Sequence, residues 1–443
     1  MPWARHVGQF TQSLFVGTAI AITANATQAQ GLPEYERPPI NYSQTAPKDA
    51  VARLLKRIAT REATLTGSDN EILRAVLREL NVPVESQVVV FSRTSLQAGL
   101  IRPNHPRALY FSDSVYVGWV PGGLIEVAAI DNELGPVFYA FDPQDAREAR
   151  RTFVRESSCL RCHGGTAASD IPRLFERSLF TTEKGEPLSR HGSELVDDGT
   201  PFERRWGGWY VTGYLGKQNH RGNAFGLERG EQLEFSPSEK RPMDVSGYFD
   251  ASKYLTTTSD VVALLVFQHQ LAMHNSLTRA GYNYRRALAD QQSQQKSGSG
   301  PATSEPAYES IKGVFENAAT DVVDHLLFRN AAPLPEGIAG TETFRRTFAT
   351  DTRRSRKGDA LKDFSLRGRL FANRCSFLIY SDSFKALPTP LKDRILDGLY
   401  VALHDDDPKG RYAYLEQEER HRIFEVLGET LPEAEEHFRR RSQ

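Results

Sequence analysis

A chain of 443 residues exceeds what one hydrophobic core usually organises, so we expect two domains. A formal net charge of −1 provides no global field that would attract nucleic acid or an anionic membrane, which argues against a nucleic-acid-binding protein. The content of 39% hydrophobic and 10% aromatic residues is enough to build packed cores and argues against global disorder.

The first 29 residues have the composition of an export signal. Arg5 gives a weakly basic start, residues 14–26 are mostly apolar and small, and "ANA" (24–26) or "TQA" (27–29) fits a small-x-small cleavage site. The alternative is an amphipathic first helix of the mature fold. The apolar run is shorter than the ~20 residues that a membrane span needs, and no later stretch reaches that length. We therefore expect a signal peptide over 1–29 and a periplasmic or secreted protein with no transmembrane span in the mature chain.

Residues 30–250 are predicted to form a mixed α/β domain centred on β-structure. Helical spacing over 47–63 and 68–81 predicts two helices, and Ser68 or Asp69 can cap the second. Short β-branched and aromatic segments with turn signals between them then predict an antiparallel meander. Residues 144–157 are predicted to be helical. The expected strands lie within 86–92, 107–113, 115–120, 124–130 and 137–142, with further strands within 174–182 and 209–215.

Residues 251–443 are predicted to form a mainly helical domain. A polar, low-complexity linker, expected to be disordered, is predicted near 290–306. The predicted helices lie within 258–290, 307–330, 388–403 and 415–428. The expected fold class is therefore α+β, with a β-centred part followed by a mainly α-helical part.

The segment "ESSCLRCHGG" (156–165) holds two of the three cysteines, with a histidine directly after the second. In an exported protein free cysteines are normally paired, and three cannot all pair. C-x-x-C-H is the attachment signature of c-type haem. The thiols of Cys159 and Cys162 would bond to the haem, and His163 would be the proximal ligand of the iron. Gly164 and the glycine after it would let the backbone pass close to the ring. We therefore expect one covalent haem c.

Three other interpretations of the motif stay open. A thioredoxin-like dithiol would sit on the strand-to-helix turn of a βαβ unit, whereas this motif is expected at a helix end before a loop. A structural zinc site would need two more ligands, such as Cys375 and a remote histidine, but no second paired motif exists. The third interpretation is a plain disulfide between Cys159 and Cys162, or a chance occurrence of the motif. Cys375 lies in an apolar run and is interpreted as a buried, inert thiol.

A sixth ligand for the iron has to come from elsewhere in the chain. The mature sequence contains only Met243 and Met273, so methionine ligation has few candidates. His220, in "NHRGN", is expected on a glycine-flanked loop that could reach an iron without strain, and His269 is expected on a helix. The alternative for each is an ordinary hydrogen-bonded histidine. The sequence predicts His220 or His269 as the distal ligand, with His220 as the first choice.

Six blocks of the sequence are distinctive: "VVVFSRTSLQ" (88–97), "PRALYFSDSVYVGWV" (106–120), "CLRCHGG" (159–165), "RRWGGWYVTG" (204–213), "HRGN" (220–223) and "CSFLIYSDSF" (375–384). Together they resemble a family of exported bacterial cytochrome c-like proteins that carry a single C-x-x-C-H and have no assigned reaction. The similarity runs from about residue 85 to about residue 400 and implies haem c and export, but no substrate. Relatives often have His-Met-Gly-Asn where this chain has His220-Arg221-Gly222-Asn223, which weakens the case for methionine ligation.

Arginines beside the aromatic strands offer partners for haem carboxylates, because a guanidinium fork fits a propionate. The candidates are Arg93, Arg107, Arg204 and Arg205, and the alternative is that they are surface arginines over an aromatic core. A β-centred module that carries haem c on a following loop is also similar to haem-binding PAS-like sensor domains, although likeness of fold does not establish function.

Two functions follow from a haem c site. The first is electron transfer, in which a monohaem cytochrome exchanges electrons with a periplasmic redox partner protein or a small-molecule donor or acceptor. It predicts two protein ligands on the iron. The second is a peroxidase-like haem enzyme or a redox or gas sensor, which predicts an open sixth position and polar groups such as Arg221 or Arg107. No Ser-His-Asp elbow, P-loop or Rossmann fingerprint appears, which favours electron transfer. If no haem is attached, the remaining possibility is an exported binding protein without haem.

Overall fold

A computed structural model describes residues 32–144, 152–164, 171–238, 242–298, 309–404 and 410–443. The predicted signal peptide over 1–29 lies outside the described residues, as do residues 299–306 of the predicted linker. Among the helices of the described ranges, none has the length and apolarity required to cross a bilayer.

The centre of the fold is an antiparallel sheet of seven strands: β1 (Val88–Val90), β2 (Arg107–Phe111), β3 (Val115–Trp119), β4 (Ile125–Asp131), β5 (Gly135–Phe141), β6 (Val154–Arg155) and β9 (Trp209–Tyr210). These strands pair in the order β6-β5-β4-β3-β2-β1-β9. Strands β1 to β5 form the meander that the turn signals predict, and β6 and β9 extend it at its two edges. Two-stranded pairings join β7 (Glu176–Leu179) to β8 (Ser193–Val196), β10 (Tyr214–Leu215) to β13 (Ile338–Ala339), and β11 (Gly226–Arg229) to β12 (Gln232–Phe235).

The helices lie mainly before and after the sheet in the chain. The first two were predicted, and of the two possible caps of the second it is Ser68 that takes the position, in a capping box with Glu71. The helices are α1 (Ala50–Ala59), α2 (Asp69–Glu79), α3 (Leu160–His163), α4 (Val261–Lys296), α5 (Glu309–Leu326), α6 (Glu342–Ala349), α7 (Asp382–Lys385), α8 (Thr389–Leu403), α9 (Gln417–Thr430) and α10 (Pro432–Arg441). The fold class α+β is therefore confirmed.

Alternation along the strands gives the sheet two buried faces. One face, with Tyr110 and Val117, shares a core with helices α1 and α2. The opposite face, with Tyr116 and Phe138, shares a core with α4 and the C-terminal helices. The second core therefore contains side chains from both sides of residue 250, and the division into domains near that residue stays a prediction.

Helix α4 connects the sheet to the C-terminal helices. Its N-cap is Asp260, whose buried carboxylate accepts hydrogen bonds from the backbone N–H groups of Val262 and Ala263 at 2.8 and 3.0 Å. The helix extends to Lys296, seven residues into the segment predicted as a linker. Glutamine and lysine are good helix formers, and adding residues to an existing helix costs little, so the polar run continues the helix.

The segment before the cysteine motif also differs from the prediction in its described part. A helix was expected over 144–157, but Val154 and Arg155 pair with β5 as an edge strand. The Arg155 guanidinium lies 4.6 Å from the Tyr42 ring centroid and donates to the Tyr42 backbone oxygen at 2.7 Å. These long-range contacts hold the segment extended, and a local sequence pattern does not report them.

Candidate cofactor site

The cysteine motif forms one short helical segment, a 3₁₀ turn over Ser157–Cys159 that continues into α3. Glu156 begins it, because its carboxylate accepts the backbone N–H of Ser158 at 2.8 Å. Residues three and four apart lie on one face of a helical turn, so Cys159, Cys162 and His163 can face the same way. All three side chains line a single cavity, and both thiols are free.

The cavity has a volume of about 410 Å³ and lies between this turn and the face of the sheet that packs toward α4. That volume is within the range of small-molecule and cofactor sites, ~300–1,000 Å³. Its walls are mostly apolar and come from strands β1 to β5 and β9 of the sheet and from helix α4. They include Val90, Leu109, Ala128, Phe138, Trp209 and Phe267.

The His163 ring is held in one orientation. Its Nδ1 lies 2.8 Å from the backbone oxygen of Arg173, so Nδ1 carries the proton and donates. Phe138 and Phe175 flank the ring at centroid distances of 4.7 and 4.6 Å. Burial lowers the pKa of His163 to about 4, with neighbouring arginines, Arg107 among them, acting in the same direction. At neutral pH the imidazole is uncharged and Nε2 keeps its lone pair, as a metal ligand requires.

An ion pair lies across the face of the sheet that forms one wall of the cavity. The Arg107 side chain lies over Gly118, and its Nη2 reaches Glu126 Oε2, 2.5 Å away. Glu126 Oε2 has this ion pair, while Arg107 Nε and the Tyr116 hydroxyl are buried without a hydrogen-bond partner in the described part of the chain. Native structures rarely leave such atoms unsatisfied, which indicates a site that takes a polar ligand.

Two arginines that were not predicted line the same cavity, Arg161 and Arg177. Arg161 lies between the two cysteines, a position that could have indicated it. Of the arginines predicted to meet haem carboxylates, Arg107 alone lines the cavity. The others have separate partners: Arg93 pairs with Glu186, Arg204 with Glu194, and Arg205 is buried against Gln268, while Arg221 stacks on Phe180.

His220 does not line this cavity. It is buried, its Nδ1 accepts the backbone N–H of Gly222 at 3.0 Å, and its ring meets Trp206 edge-on at 5.5 Å. The loop position was predicted, but the side chain is packed into aromatic surroundings outside the lining.

His269 also lies outside the lining, and both of its ring nitrogens are engaged. Nδ1 contacts the Asp198 carboxylate at 2.8 Å and Nε2 contacts the Ser376 hydroxyl at 2.7 Å. The ring stacks on Phe328 at 4.2 Å. An Asp-His-Ser chain forms here, but Ser376 is fully buried, so its hydroxyl is closed to a substrate. The structure therefore does not bring either predicted distal ligand to His163, and that role stays a prediction.

Two of the residues discussed from the sequence are still to be placed, Gly164 and Cys375. A Cβ on Gly164 would lie 2.4 Å from the Tyr35 hydroxyl, so packing against that tyrosine already requires glycine here. Cys375 is fully buried in the core, and burial raises the pKa of its thiol well above the usual range. This agrees with the interpretation as an inert thiol.

No protein-family model, curated protein or solved structure matches the chain. Within the described ranges, no group of three or more His, Cys, Asp or Glu side chains is arranged to hold a metal ion. The resemblance to cytochrome c-like proteins stays a prediction, and the function has to be argued from the geometry around His163.

Proposed function

We propose that the chain is an exported monohaem c-type cytochrome, in which Cys159 and Cys162 attach one haem and His163 ligates its iron. The observation that carries the proposal is that these three side chains line one cofactor-sized, largely apolar cavity. When bound, haem c would supply one-electron redox chemistry and an iron coordination site. Export to the periplasm, or secretion, rests on the composition of residues 1–29.

The cavity residues fit the chemical parts of a haem. The apolar side chains from the sheet and α4 suit the macrocycle, and the neutral His163 ring has its Nε2 lone pair available for iron. Arg161 and Arg177 suit the two propionates, because a guanidinium binds a carboxylate through paired N–H groups. These residues would bind and orient the group, while Phe138 and Phe175 keep the His163 ring in place.

The geometry favours haem over the other interpretations of the motif. A reactive dithiol needs a thiol whose pKa is low, but burial raises the pKa of Cys159 to about 11. A zinc site with Cys375 would need that buried thiol to join the exposed Cys162, and the described residues form no such group. A disulfide is not formed between the two motif cysteines.

The role of His163 is tested with a His163→Gly variant made alongside haem-maturation machinery. We expect the absorption spectrum of the variant to change and free imidazole to restore the wild-type bands, because imidazole fills the space of the missing ring. His421→Ala, at an exposed helix position, is the control and should match the wild type. A His163→Gly spectrum equal to that of the wild type would contradict ligation by this residue.

A second function is favoured by the walls of the cavity. The described lining contains no second histidine and no methionine, whereas Arg107, Glu126 and Tyr116 present buried polar atoms. This arrangement favours a haem that binds an external ligand, as in a peroxidase-like enzyme or a redox or gas sensor, including the PAS-like sensors suggested by analogy. Electron transfer, with a redox partner protein or a small molecule, remains the first function.

Spectroscopy separates the two functions. A low-spin spectrum that does not respond to carbon monoxide, cyanide or peroxide supports electron transfer, since both axial positions are then filled by the protein. A high-spin spectrum that shifts with these ligands supports an enzyme or sensor.

A further inference from the structure

A second cavity, of about 340 Å³, lies where segments 198–205, 328–334 and 368–374 meet. It shares no lining residue with the cavity at the cysteine motif. Much of its wall is apolar and is formed by Leu265, Phe328, Leu334, Leu370 and Phe371. It therefore has to be explained separately from the proposed haem site.

Charged side chains line one part of this cavity: Arg205, Arg369, Arg374 and Asp198. Two of them are already used by the protein. Arg205 donates through Nε to the Thr200 backbone oxygen and through Nη1 to Gln268 Oε1, each at 2.8 Å, and through Nη2 to the Asp198 backbone oxygen at 3.0 Å. The Asp198 carboxylate is held by His269 at 2.8 Å. Arg205 and Asp198 therefore line the cavity, but their polar groups are already hydrogen-bonded within the protein.

Arg369 and Arg374 differ from Arg205 and Asp198. Both arginines donate hydrogen bonds to one buried carboxylate, and each has further N–H groups that make no hydrogen bond to the described residues. Glu419 is fully buried and accepts from Arg369 Nη1 at 2.8 Å and from Arg374 Nη2 at 2.6 Å. No hydrogen bond within the described ranges uses Nε and Nη2 of Arg369 or Nη1 of Arg374. The pair is thus held in position while N–H groups on both guanidinium planes remain available to an acceptor.

The charge balance indicates what the cavity accepts. Arg369 and Arg374 share a single carboxylate, that of Glu419, which leaves one positive charge on this pair beside an apolar wall. A single negative charge would neutralise the site, and a carboxylate would match the guanidinium donors. A dianion with no apolar part would be left with an unpaired charge and would not use the wall.

We propose that this second cavity binds a monocarboxylate with an apolar body. Its carboxylate would accept from Arg369 and Arg374, and its body would pack against Phe328 and Phe371. The inference goes beyond the proposed cytochrome function and does not depend on it.

Titration calorimetry of the mature chain with benzoate tests the proposal whether or not haem is attached, with benzamide as the neutral analogue of the same shape, and the haem absorption spectrum is followed where haem is present. We expect saturable binding of one benzoate per chain, much weaker binding of benzamide, and no change in the haem absorption spectrum. Failure of benzoate to bind, equal binding of benzamide, or a benzoate-dependent spectral shift, which would place the ligand at the first cavity, would overturn the proposal.

Two variants locate the site. Arg369→Gln should weaken benzoate binding by at least about tenfold, because a charge-assisted hydrogen bond is lost, and Arg369→Lys should be intermediate. Ala332→Phe should abolish binding by filling the cavity, which keeps the test decisive if the arginine variant does not fold. Arg346→Gln, at a side chain that is 74% exposed, is the matched control and should bind as the wild type does. Unchanged affinity in either Arg369→Gln or Ala332→Phe would overturn the proposal.

Discussion

The side chain of Arg107 on β2 reaches Glu126 on β4 by passing over the strand between them, at Gly118. The register pairs Gly118 with Glu126 and with Leu109, which places the glycine in the path of the arginine. A Cβ at position 118 would lie 2.2 Å from Arg107 Nη2. The missing side chain at Gly118 is therefore what lets a charged pair lie across the cavity wall.

The first prediction concerns the passage of the Arg107 side chain over Gly118. Gly118→Ala should lower the free energy of unfolding by about 1–3 kcal/mol, because the added methyl group displaces the guanidinium. In an Arg107→Ala background the cost should shrink, giving a coupling energy of about 0.5–3 kcal/mol in a double-mutant cycle measured by denaturant unfolding. Gly99→Ala, where a Cβ meets no atom within 4 Å, is the control. Additive costs for the two substitutions would contradict the contact.

The second prediction concerns the distal ligand. His220→Ala and His269→Ala should each leave the spin state of the haem-loaded protein unchanged, because neither side chain lines the cavity of His163. His269→Ala should nevertheless destabilise the fold, since it leaves the Asp198 carboxylate and the Ser376 hydroxyl without this partner. Visible spectra of both variants decide the question, and a conversion from low to high spin in one of them would identify that histidine as the ligand.

The third prediction concerns a buried carboxyl group. Glu176 is 1% exposed, and its Oε1 accepts from Gln268 Nε2 at 2.8 Å. Burial raises the pKa of Glu176 from 4.5 to about 8, so the folded state keeps a proton that the unfolded chain loses between those pH values. Stability that this group contributes below pH 4.5 is therefore lost as the pH rises toward 8, by up to about 1.4 kcal/mol per pH unit.

Glu176→Gln imitates the protonated carboxyl and should remove that loss. The variant should unfold at nearly the same denaturant concentration as the wild type at pH 4.5, and at a higher concentration at pH 8. Glu231→Gln, at an exposed position, is the matched control and should follow the wild-type profile. Parallel profiles for Glu176→Gln and the wild type would show that the carboxyl is ionised throughout.

Local patterns in the sequence were sufficient for most of the regular structure. The meander from β1 to β5 follows from alternation and turn residues, and the start of α2 follows from the capping box at Ser68. The edge strand at Val154 and Arg155 could not be found in this way, because contacts with β5 and Tyr42 hold it extended.

Part of the candidate site could be predicted because the motif itself specifies it. Cys159, Cys162 and His163 share a face by helical spacing alone. The surroundings depend on register and long-range packing, which explains why Arg177 and the passage of Arg107 over Gly118 were missed, whereas Arg161 could have been found from its place between the two cysteines. It also explains why a histidine on a glycine-flanked loop, His220, packs against Trp206 instead of lining the cavity.

The most direct test of the central claim is the intact mass of the denatured protein after expression with haem-maturation machinery. We predict that the mature chain gains the mass of one haem, that Cys375→Ser keeps this gain because its thiol is buried elsewhere, and that Cys159→Ser combined with Cys162→Ser loses it. A wild-type mass equal to that of the polypeptide alone would contradict the account.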